Sequence, residues 1–509
     1  MAPEQATARQ QTATRIIIAL FIIIAATRII IAYQSPHPDY DGYLPLRQVE
    51  SIHQTGLPLF EDELSYGGRA RVFSPLYTYL IALFGLVLPK LWLVKVLPNL
   101  FAAAIVIPAY AFARILTKHE GLAIITAGMT GLIPALFLIG INDGSPITLS
   151  ITLLVTTMYL FIKSRKSGKH LDWLLIALVA LILLHPLSLV FLIGLLLYTA
   201  LLRVQSMKIS PKDVELLLFT LFFTAWFSLV VFKKAFVMHG SNVIWQNIPA
   251  MELSAVFSKV TLLSAISSTG FIALILGVGG LYYGLTETKR KSIVFLTGMV
   301  AGVVILIWFR LIALRTGLAL LGILLALASG YALHRIVDYL RKTKAARLAW
   351  AAVAGIIAIF VIATLPSMLT TELTDTPTAA DIEVLTWADE HLSEDAIIMG
   401  APIEGNLIAG VAHRKNVMDT DYLLIPRVEE RYEDTITLYK SFFKIDAVSI
   451  LQKYGATHVY VSPQTEAFTD VAHPRFLDDE QCFSLVKTAT DGTVQLYGLT
   501  CSLRGEEYG

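Results

Sequence analysis

Residues 38–75 read PDYDGYLPLRQVESIHQTGLPLFEDELSYGGRARVFSP, and they directly follow an apolar run, Ile16–Tyr33, long enough to cross a membrane. This polar stretch carries six acidic residues and three arginines, interleaved with aromatic residues and glycines. A connector between two membrane spans needs only a handful of solvated residues. A loop this long with both signs of charge is either a functional loop or a solvated external connector, and we favour the first.

The composition around this loop is that of a polytopic membrane protein. The chain has 509 residues, of which 55% are hydrophobic and 16% charged, and its mean hydropathy is +0.66. Soluble globular domains contain about 25% charged residues. We therefore expect membrane lipids around the chain and no nucleic-acid partner. The sequence has no Cys/His metal spacing and no phosphate-binding glycine loop of the Walker or Rossmann kind.

The apolar runs predict eleven membrane-spanning helices, because a helix needs about 20 residues to cross the hydrocarbon core. The predicted spans lie near 15–33, 93–115, 121–141, 146–163, 171–190, 190–203, 214–236, 264–284, 292–309, 315–334 and 348–369. Leu76–Leu88 is also apolar, but it is short and bounded by Pro75 and Pro89. We interpret it as an interfacial or re-entrant helix.

The positions of lysine and arginine orient these spans in the membrane. With the N-terminus in the cytoplasm, every basic cluster falls on the cytoplasmic side, as the positive-inside rule requires. These clusters are in the loops 114–119, 163–170, 203–212, 289–291 and 334–347. The first loop, the 142–145 turn, the 237–262 loop and everything after Thr370 then lie outside. The pattern predicts an integral plasma-membrane protein.

The composition changes after Pro366, where charge becomes frequent and the apolar runs become short. We expect a transmembrane domain at 1–370, with its first external loop at 34–92, and a soluble extracytoplasmic α/β domain at 371–509. Patterns of apolar residues predict helices at 382–391 and 443–454 and strands at 396–399, 458–461 and 493–497. Cys482 and Cys501 lie in this region and are either a disulfide or two free thiols.

Acidic residues next to the predicted membrane surface are the first candidates for chemistry. Asp39 and Asp41 follow the first span, and such carboxylates bind a hard cation or act as a general base. Asp143 lies in the turn Asn142-Asp143-Gly144, which the predicted topology places in the same compartment at the same depth. The two loops together suit a divalent ion, although Asn-Asp-Gly is also a strong turn former. Glu252, in the 237–262 loop, is a further candidate ligand or an ordinary loop carboxylate.

Arginines near the membrane surface are the second group of candidates. Arg310 and Arg315 flank the external ends of the ninth and tenth spans, where an arginine usually has a partner. Their guanidinium groups suit a lipid-linked phosphate, or else they anchor the helix ends by snorkelling. Arg69 follows a tight turn at Tyr66-Gly67-Gly68, and either a functional or a structural role is open for it. His185 precedes a proline at a helix end, and we expect it to be structural.

Five of these stretches, in this order, resemble the GT-C glycosyltransferases, and in particular the catalytic subunit of oligosaccharyltransferase and the dolichyl-phosphate-sugar mannosyltransferases. The first external loop begins with DYDGYLPLRQVE, which looks like the acidic first-loop motif of that family. The other four stretches are PLYTYL at 75–80, LPNLFAAAIVIPAY at 97–110, the 142–144 turn and LRTGLALL at 314–321. The Trp-Trp-Asp-Tyr-Gly motif, with which oligosaccharyltransferases read an acceptor sequon, is absent, and APIEG stands in its place at 401–405.

The resemblance implies an inverting glycosyltransferase that moves a sugar or glycan from a polyprenyl (dolichyl) phosphate-linked donor to a protein, lipid or glycan acceptor. It matches Asp41 to the catalytic, metal-binding aspartate, with Asp39 beside it and Arg47 as the arginine that follows. It implies a divalent cation, Mg²⁺ or Mn²⁺, held by Asp41, Asp143 and Glu252. It matches Arg315 to the arginine that contacts the lipid-linked phosphate; Arg310 and Arg69 are our further candidates for this contact.

Two other functions remain open from the sequence. A transporter or flippase of lipid-linked saccharides would need ionisable residues within the membrane, and Arg28 and Lys95 lie in or near predicted spans. We find no inverted repeat, and the acidic candidates cluster on one face, which favours the enzyme. An inactive relative that serves as a sugar-binding scaffold subunit is the other alternative.

Overall fold

The computed structural model describes residues 3–167, 170–288, 290–344, 346–369, 373 and 375–502, and most of these residues are helical. The helices before residue 370 are α1 Pro3–Ala32, α2 Tyr43–Thr55, α3 Leu76–Gly85, α4 Lys90–Lys95, α5 Leu97–Ala103, α6 Val106–Thr117, α7 Glu120–Gly131, α8 Pro134–Phe137, α9 Ile147–Ser167, α10 Leu171–Leu184, α11 Ser188–Val204, α12 Pro211–His239, α13 Ala250–Ser258, α14 Leu262–Thr269, α15 Phe271–Tyr283, α16 Lys291–Trp308, α17 Leu314–Arg341 and α18 Ala349–Leu369. The first loop also contains a short hairpin of β1 Glu61–Asp62 and β2 Arg69–Ala70.

Seven helical segments in the described residues are long and apolar enough to cross a membrane: Gln10–Ala32, Lys90–Thr117, Ile147–Arg165, Pro211–Ser258, Lys291–Trp308, Leu314–Arg341 and Ala346–Pro366. An eighth exists if α14 and α15, which meet at 77°, form one broken span. The three remaining predicted spans differ from this pattern. The one at 121–141 is interrupted after Gly131, and those at 171–190 and 190–203 are the shorter helices α10 and α11. α3 has ten residues, too few to cross the hydrocarbon core as a helix.

A buried arginine explains why the apolar sequence at 121–141 is not one helix. Arg28 of α1 is 1% exposed and donates hydrogen bonds to the carbonyl oxygens of Leu136 (2.9 Å), Phe137 (2.5 Å) and Ile139 (2.5 Å). Its Nε also donates to Oδ1 of Asn99 at 2.9 Å. Carbonyl groups outside a helix need donors when no water reaches them, and this guanidinium supplies them.

A buried lysine ends α1 in a similar way. Nζ of Lys95 donates to the carbonyl oxygens of Ala32 (2.9 Å), Ser35 (2.7 Å) and His37 (3.0 Å). These three carbonyl groups lie where the chain leaves α1 and enters the first loop. Arg28 and Lys95, the ionisable residues on which the transporter alternative rests, are therefore bound to the protein backbone.

The helices pack around α17, and 94% of the most apolar stretch of this helix is buried inside the protein. Gly277 and Gly280 of α15 lie against the backbone of α17 at Leu325 and Ala328, so closely that a Cβ atom at either glycine would collide with it. Small residues at such a contact let two helix backbones approach each other, which is how helices associate within a membrane.

The residues after 375 form a mixed sheet with helices on both faces. Its elements are α19 Ala379–His391, β3 Ile397–Met399, α20 Gly405–Leu407, β4 Lys415–Asn416, α21 Val428–Lys440, α22 Lys444–Lys453, β5 His458–Val461, α23 Pro463–Thr469, β6 Phe483–Thr488 and β7 Gln495–Leu499. The strand order is β4-β3-β5-β7-β6, with β3 parallel to β4 and β5, and β7 antiparallel to β5 and β6. The three predicted strands correspond to β3, β5 and β7. Cys482 and Cys501 form a disulfide.

The sheet contacts the first loop through one of its two apolar faces. Helices α21 and α22 cover one face, and α19 covers the other. Tyr40 and Tyr43 of the first loop are buried in the cluster that α19 forms with Ile398 and Tyr460. The sheet is thereby fixed against the segment that carries Asp39 and Asp41.

Replacing Arg28 with methionine should lower the free energy of unfolding by at least about 3 kcal/mol, because several buried carbonyl groups would lose their donor. Thermal unfolding of the detergent-solubilised protein, followed by tryptophan fluorescence, measures this. The matched control is Arg114→Met, since Arg114 is half-exposed and only 3.6 Å from Glu120. Equal unfolding temperatures for the two variants would show that Arg28 does not stabilise the broken segment.

Candidate active site between the first loop and the sheet

The structure brings the first loop and the 142–144 turn into direct contact. The backbone N–H of Asp39 donates to the carbonyl oxygen of Asn142 at 3.1 Å. In return, Nδ2 of Asn142 donates to Oδ1 of Asp39 at 3.0 Å and to the carbonyl oxygen of His37 at 2.9 Å. Gly42 lies against the same turn, where a Cβ atom would come within 3.1 Å of the carbonyl oxygen of Asn142. Asp39, Asp41 and Asp143 therefore belong to one site.

Asp143 is both a turn former and a member of this site. Its Oδ1 accepts a hydrogen bond from the backbone N–H of Ser145 at 2.8 Å, which closes the turn. Gly144 follows in the left-handed region, with φ of 67°, where a side chain would be strained. The turn occupies only one carboxylate oxygen of Asp143, so the second oxygen is left for a ligand.

Asp41 is held from the opposite side by the sheet domain. Its Oδ1 accepts hydrogen bonds from Oγ1 of Thr420 at 2.6 Å and from Nδ2 of Asn406 at 3.1 Å. The Asp41 side chain is nevertheless exposed, so a substrate can reach it. Sequence analysis did not assign Asn406 or Thr420 to the site. They follow Asp41 by more than 360 residues, and no local spacing connects them to it.

Burial raises the pKa values of the carboxylates in this site, and the charges of neighbouring carboxylates add to the effect. Burial, and then the nearby charge of Asp143, raise the pKa of Asp39 to about 7. Burial raises the pKa of Asp143 to about 6, and the charge of Asp41 adds to this effect. Protein surrounds Asp41 on most sides even though water reaches it, and this partial loss of solvation raises its pKa. A proton or a cation bound between these groups would relieve their repulsion.

Arg47 and Arg69 belong to an ion-pair network that joins the first loop to the sheet domain. Within the loop, Arg47 pairs with Asp62 at 2.5 Å. Arg69 pairs with Asp419 at 3.3 Å and with Asp421 at 3.0 Å. The guanidinium groups of both predicted site residues thus contact carboxylates of the protein itself.

Arg71 is the centre of this network, and the sequence analysis gave it no role. It is 3% exposed and pairs with Asp62 at 2.8 Å, Asp419 at 3.0 Å and Asp421 at 2.9 Å. The oxygen of Asp419 that binds Arg71 also accepts a hydrogen bond from Ser65 at 2.5 Å. Three carboxylates around one buried arginine fix the hairpin of the first loop onto the segment 419–421.

Glu252 lies on the side of the site formed by α13. Its carboxylate accepts a hydrogen bond from the hydroxyl group of Tyr422, the residue that follows Asp421. It also interacts electrostatically with Asp41. The segment 419–422 therefore contacts the first loop, Asp41 and Glu252, and it links Asp41 to Glu252.

Arg310 lies in the connection between α16 and α17, and Arg315 lies in the first turn of α17. Nε1 of Trp245 donates to the carbonyl oxygen of Phe309 at 3.3 Å, and Asn247 donates to that of Tyr422 at 2.9 Å, so this connection is at the same end of the helices as the site. Arg310 lies 5.1 Å from the ring centroid of Phe257. Arg315 is exposed, and among the described residues it makes no hydrogen bond or ion pair.

His185 caps a helix end, as a structural role would require. Its Nδ1 accepts a hydrogen bond from the backbone N–H of Leu187 at 3.1 Å, just after the end of α10.

The donor atoms in the site are oxygens, which suit a hard cation such as Mg²⁺ or Mn²⁺. Among the described residues, no three Asp, Glu, His or Cys side chains are arranged as a complete metal site. However, two buried amide oxygens beside the carboxylates, Oδ1 of Asn142 and Oδ1 of Asn406, have no hydrogen-bond partner in the described part of the chain. These unpaired oxygens and the crowded carboxylates fit a bound cation.

Comparison with known proteins identifies the fold. No family model matches the chain, and no curated protein matches it in sequence. The solved oligosaccharyltransferase AglB of Archaeoglobus fulgidus, in complex with an inhibitory peptide and a dolichol-phosphate, is similar in structure, with a TM-score of 0.65 at 13% identity over 97% of this chain and 75% of that one. Another structure of the A. fulgidus oligosaccharyltransferase is a complex with Zn and sulfate.

Two bacterial glycosyltransferases have the same fold. ArnT of Cupriavidus metallidurans bound to undecaprenyl phosphate gives a TM-score of 0.56 at 12% identity, over 96% of this chain and 99% of that one. The mycobacterial arabinofuranosyltransferase AftD gives 0.59 at 14% identity, over 95% of this chain and 40% of that one. All three are GT-C glycosyltransferases, and this chain has the GT-C fold.

Replacing Asp39 with asparagine should stabilise the protein at pH 8 but not at pH 4. The pKa of Asp39 is raised from 3.8 to about 7, so the folded state holds a proton that the unfolded state has lost. Stability therefore falls as the pH rises through this range, and asparagine removes the loss, which is on the order of 4 kcal/mol. Unfolding temperatures measured from pH 4 to 8 test this.

The control for this experiment is Glu394→Gln, at an exposed position. It should leave the pH dependence of the unfolding temperature unchanged. A pH profile of Asp39→Asn that ran parallel to that of the wild type would contradict the crowding of carboxylates around Asp39.

Replacing Asp419 with asparagine should lower the free energy of unfolding by about 3–5 kcal/mol, because Arg69 and Arg71 would lose a buried counter-charge. The first loop should also become sensitive to limited proteolysis. The control is Glu430→Gln, which removes an exposed ion pair with Lys453 and should have little effect. Resistance to protease equal to that of the wild type would show that the network does not fix the loop.

Proposed function

We propose that this protein is a membrane glycosyltransferase that moves a sugar or glycan from a polyprenyl (dolichyl) phosphate-linked donor to an acceptor on the external face of the plasma membrane. The observation that carries this proposal is the position of Asp41. It is an exposed carboxylate, held by Asn406 and Thr420 and lying beside Asp39 and Asp143 at one end of the apolar helices. A donor anchored in the membrane by its lipid would present its sugar at this depth.

The ligands of two proteins with the same fold support the proposed donor class. AglB and ArnT have been solved with dolichol-phosphate and undecaprenyl phosphate, and a chain of the same fold would bind a ligand of this class. Arg315 is the best candidate for the phosphate contact, since its guanidinium group is exposed and has no partner among the described residues. Arg310 lies five residues before it, in the connection that precedes α17. Arg69 is less suitable, because Asp419 and Asp421 already bind it.

The side chains of the site support a displacement with inversion at the anomeric carbon. Asp41 would accept the proton of the acceptor nucleophile, or orient that nucleophile, as the bond to the lipid phosphate breaks. Arg315 would stabilise the negative charge that develops on the leaving phosphate. Arg47 acts at one remove in this scheme, because it pairs with Asp62 and so contributes to the position of the loop that carries Asp41.

A divalent cation, Mg²⁺ or Mn²⁺, is part of the proposal. Asp41 and Asp143 would hold it, with Glu252 on the far side of the site and the unpaired amide oxygens of Asn142 and Asn406 as additional donors. When bound, such a cation would neutralise phosphate charge. Asp39, whose pKa is raised to about 7, would be ionised more fully in its presence.

We do not propose a sequon as the acceptor, because the Trp-Trp-Asp-Tyr-Gly motif is absent from the sequence. At the corresponding place, Glu404 is fully buried and accepts hydrogen bonds from the backbone N–H of Ala401 at 2.7 Å and from Ser462. A side chain used inside the sheet domain in this way does not face an acceptor. The acceptor class therefore stays open among protein, lipid and glycan.

The placement in the membrane follows from the positive-inside pattern. The N-terminus would be cytoplasmic, residues 1–370 would form the transmembrane domain, and residues 371–509 would be an extracytoplasmic domain that closes the site.

The test is sugar transfer by the purified protein with a panel of polyprenyl-phosphate and polyprenyl-diphosphate donors. Asp41→Asn should reduce kcat at least 100-fold, because the proton acceptor is lost, while donor binding persists. Arg315→Gln should instead weaken donor binding. Glu394→Gln is the control and should transfer at the wild-type rate.

Addition of EDTA tests the cation separately. Loss of transfer that Mg²⁺ or Mn²⁺ restores would support the metal site, whereas full activity under complete chelation would exclude it. A wild-type protein that neither transfers a sugar nor binds any donor would overturn the glycosyltransferase proposal.

A further inference from the structure

A second polar region lies at the far end of α9 from the carboxylates. α9 begins at Ile147, directly after the 142–145 turn, and Arg165 is in its last turn. At 1.5 Å per residue, these two positions are about 27 Å apart, which is close to the thickness of the hydrocarbon core. A cavity of about 490 Å³ at this end of the helices therefore opens at the opposite membrane face from Asp41.

The described lining of this cavity combines cations with an apolar wall and includes no acidic side chain. The cations are Lys118, Arg165, Arg290 and Lys291, and they come from the α6–α7 connection, from α9 and from the start of α16. Ser292 and three apolar residues complete the lining. Of these four positive charges, only that of Arg165 is paired with a carboxylate in the described part of the chain, and the other three repel one another unless an anion lies among them.

Other parts of the protein hold three of these cations in position. Arg165 pairs with Asp213 at 2.8 Å, behind the cavity, and donates to the hydroxyl group of Tyr198. Arg290 donates to the carbonyl oxygen of Leu116 at 3.2 Å, and Lys291 donates to that of Lys208 at 2.5 Å. Side chains that are already fixed lose little conformational entropy when a ligand binds.

Hydrogen-bond donors remain free at the same place. A guanidinium group has five N–H donors, and Arg290 uses one of them among the described residues. The backbone N–H groups of Lys291 and Ser292, in the first turn of α16, make no hydrogen bond to another described residue. Lys118 has no hydrogen bond or ion pair from its side chain in the described part of the chain. A phosphate group suits this place for three reasons. The cations are fixed, backbone N–H groups at the start of a helix are free, and the described lining has no acidic side chain.

We propose that this cavity is a binding site for a phosphate group, distinct from the site for the sugar donor. The apolar wall favours the phosphate of an acidic membrane phospholipid, whose glycerol and acyl groups would contact Ile115, Phe161 and Ile162. A soluble phosphate ester has the same charged group but no apolar part that would contact these three residues. The site does not depend on the proposed glycosyl transfer.

Native mass spectrometry of the delipidated full-length protein in detergent tests the site, with phosphatidylglycerol and phosphatidylcholine as probes. Wild-type protein should retain one phosphatidylglycerol at least tenfold more tightly than phosphatidylcholine. The variant Lys118→Gln/Arg290→Gln/Lys291→Gln should lose this preference. Lys118→Gln alone should weaken the preference for phosphatidylglycerol about threefold. Lys118 is exposed and its side chain has no partner among the described residues, so this single variant should fold even if the triple variant does not.

The matched control is Arg203→Gln/Lys208→Gln/Lys212→Gln, which removes three exposed positive charges outside the cavity but at the same end of the helices. It should keep the preference. Titration with inorganic pyrophosphate forms the soluble arm: binding of pyrophosphate that the cavity variant abolishes, without any lipid preference, would support a phosphate site with a soluble ligand. A cavity variant that binds both probes as the wild type does, or a control that loses the preference equally, would overturn the proposal.

Discussion

The position of the carboxylates depends on the hydrogen bonds of one buried guanidinium group. Arg28 binds the backbone carbonyls of Leu136, Phe137 and Ile139, and Asn99 extends this set to the carbonyl oxygen of Ile141 at 2.7 Å. A continuous helix through this segment would satisfy its own carbonyls. Because Arg28 supplies the donors, the helix can break early, and the turn that carries Asp143 meets Asp39.

The sheet domain completes the site from outside, and electrostatics determines how it docks. Arg71 pairs with Asp62, Asp419 and Asp421. The arginine of the first loop and the carboxylates of segment 419–421 therefore neutralise one another. Removing either side would leave buried charges without partners, which is far more costly than losing a surface ion pair. The same segment places Thr420 on Asp41. The segment 419–421 therefore both docks the sheet domain and orients the proposed catalytic carboxylate.

Local patterns in the sequence predicted the elements well and their long-range contacts poorly. The apolar runs located the long helices, and the short apolar strands of the sheet were found at β3, β5 and β7. The interruption of the predicted span at 121–141 was not predicted, because the apolar residues of that segment carry no sign of a distant arginine. Asp39, Asp41 and Asp143 could be grouped from topology, since each follows a predicted span end. Asn406, Thr420 and Arg71 could not, because their partners lie hundreds of residues away or in a hairpin without a strong strand pattern.

Charge is distributed in opposite ways at the two ends of the helical bundle. At one end, carboxylates lie close together, and burial together with their mutual repulsion raises the pKa values of Asp39 and Asp143. At the other end, about one hydrocarbon thickness away along α9, cations line a cavity without acidic residues. Charges that serve only stability are paired within the protein, as Arg28 and Arg71 are. The carboxylates around Asp41 and the cations around Arg290 lack such complete pairing among the described residues, and these are the two places where we propose ligands of the opposite sign, a cation and a phosphate group.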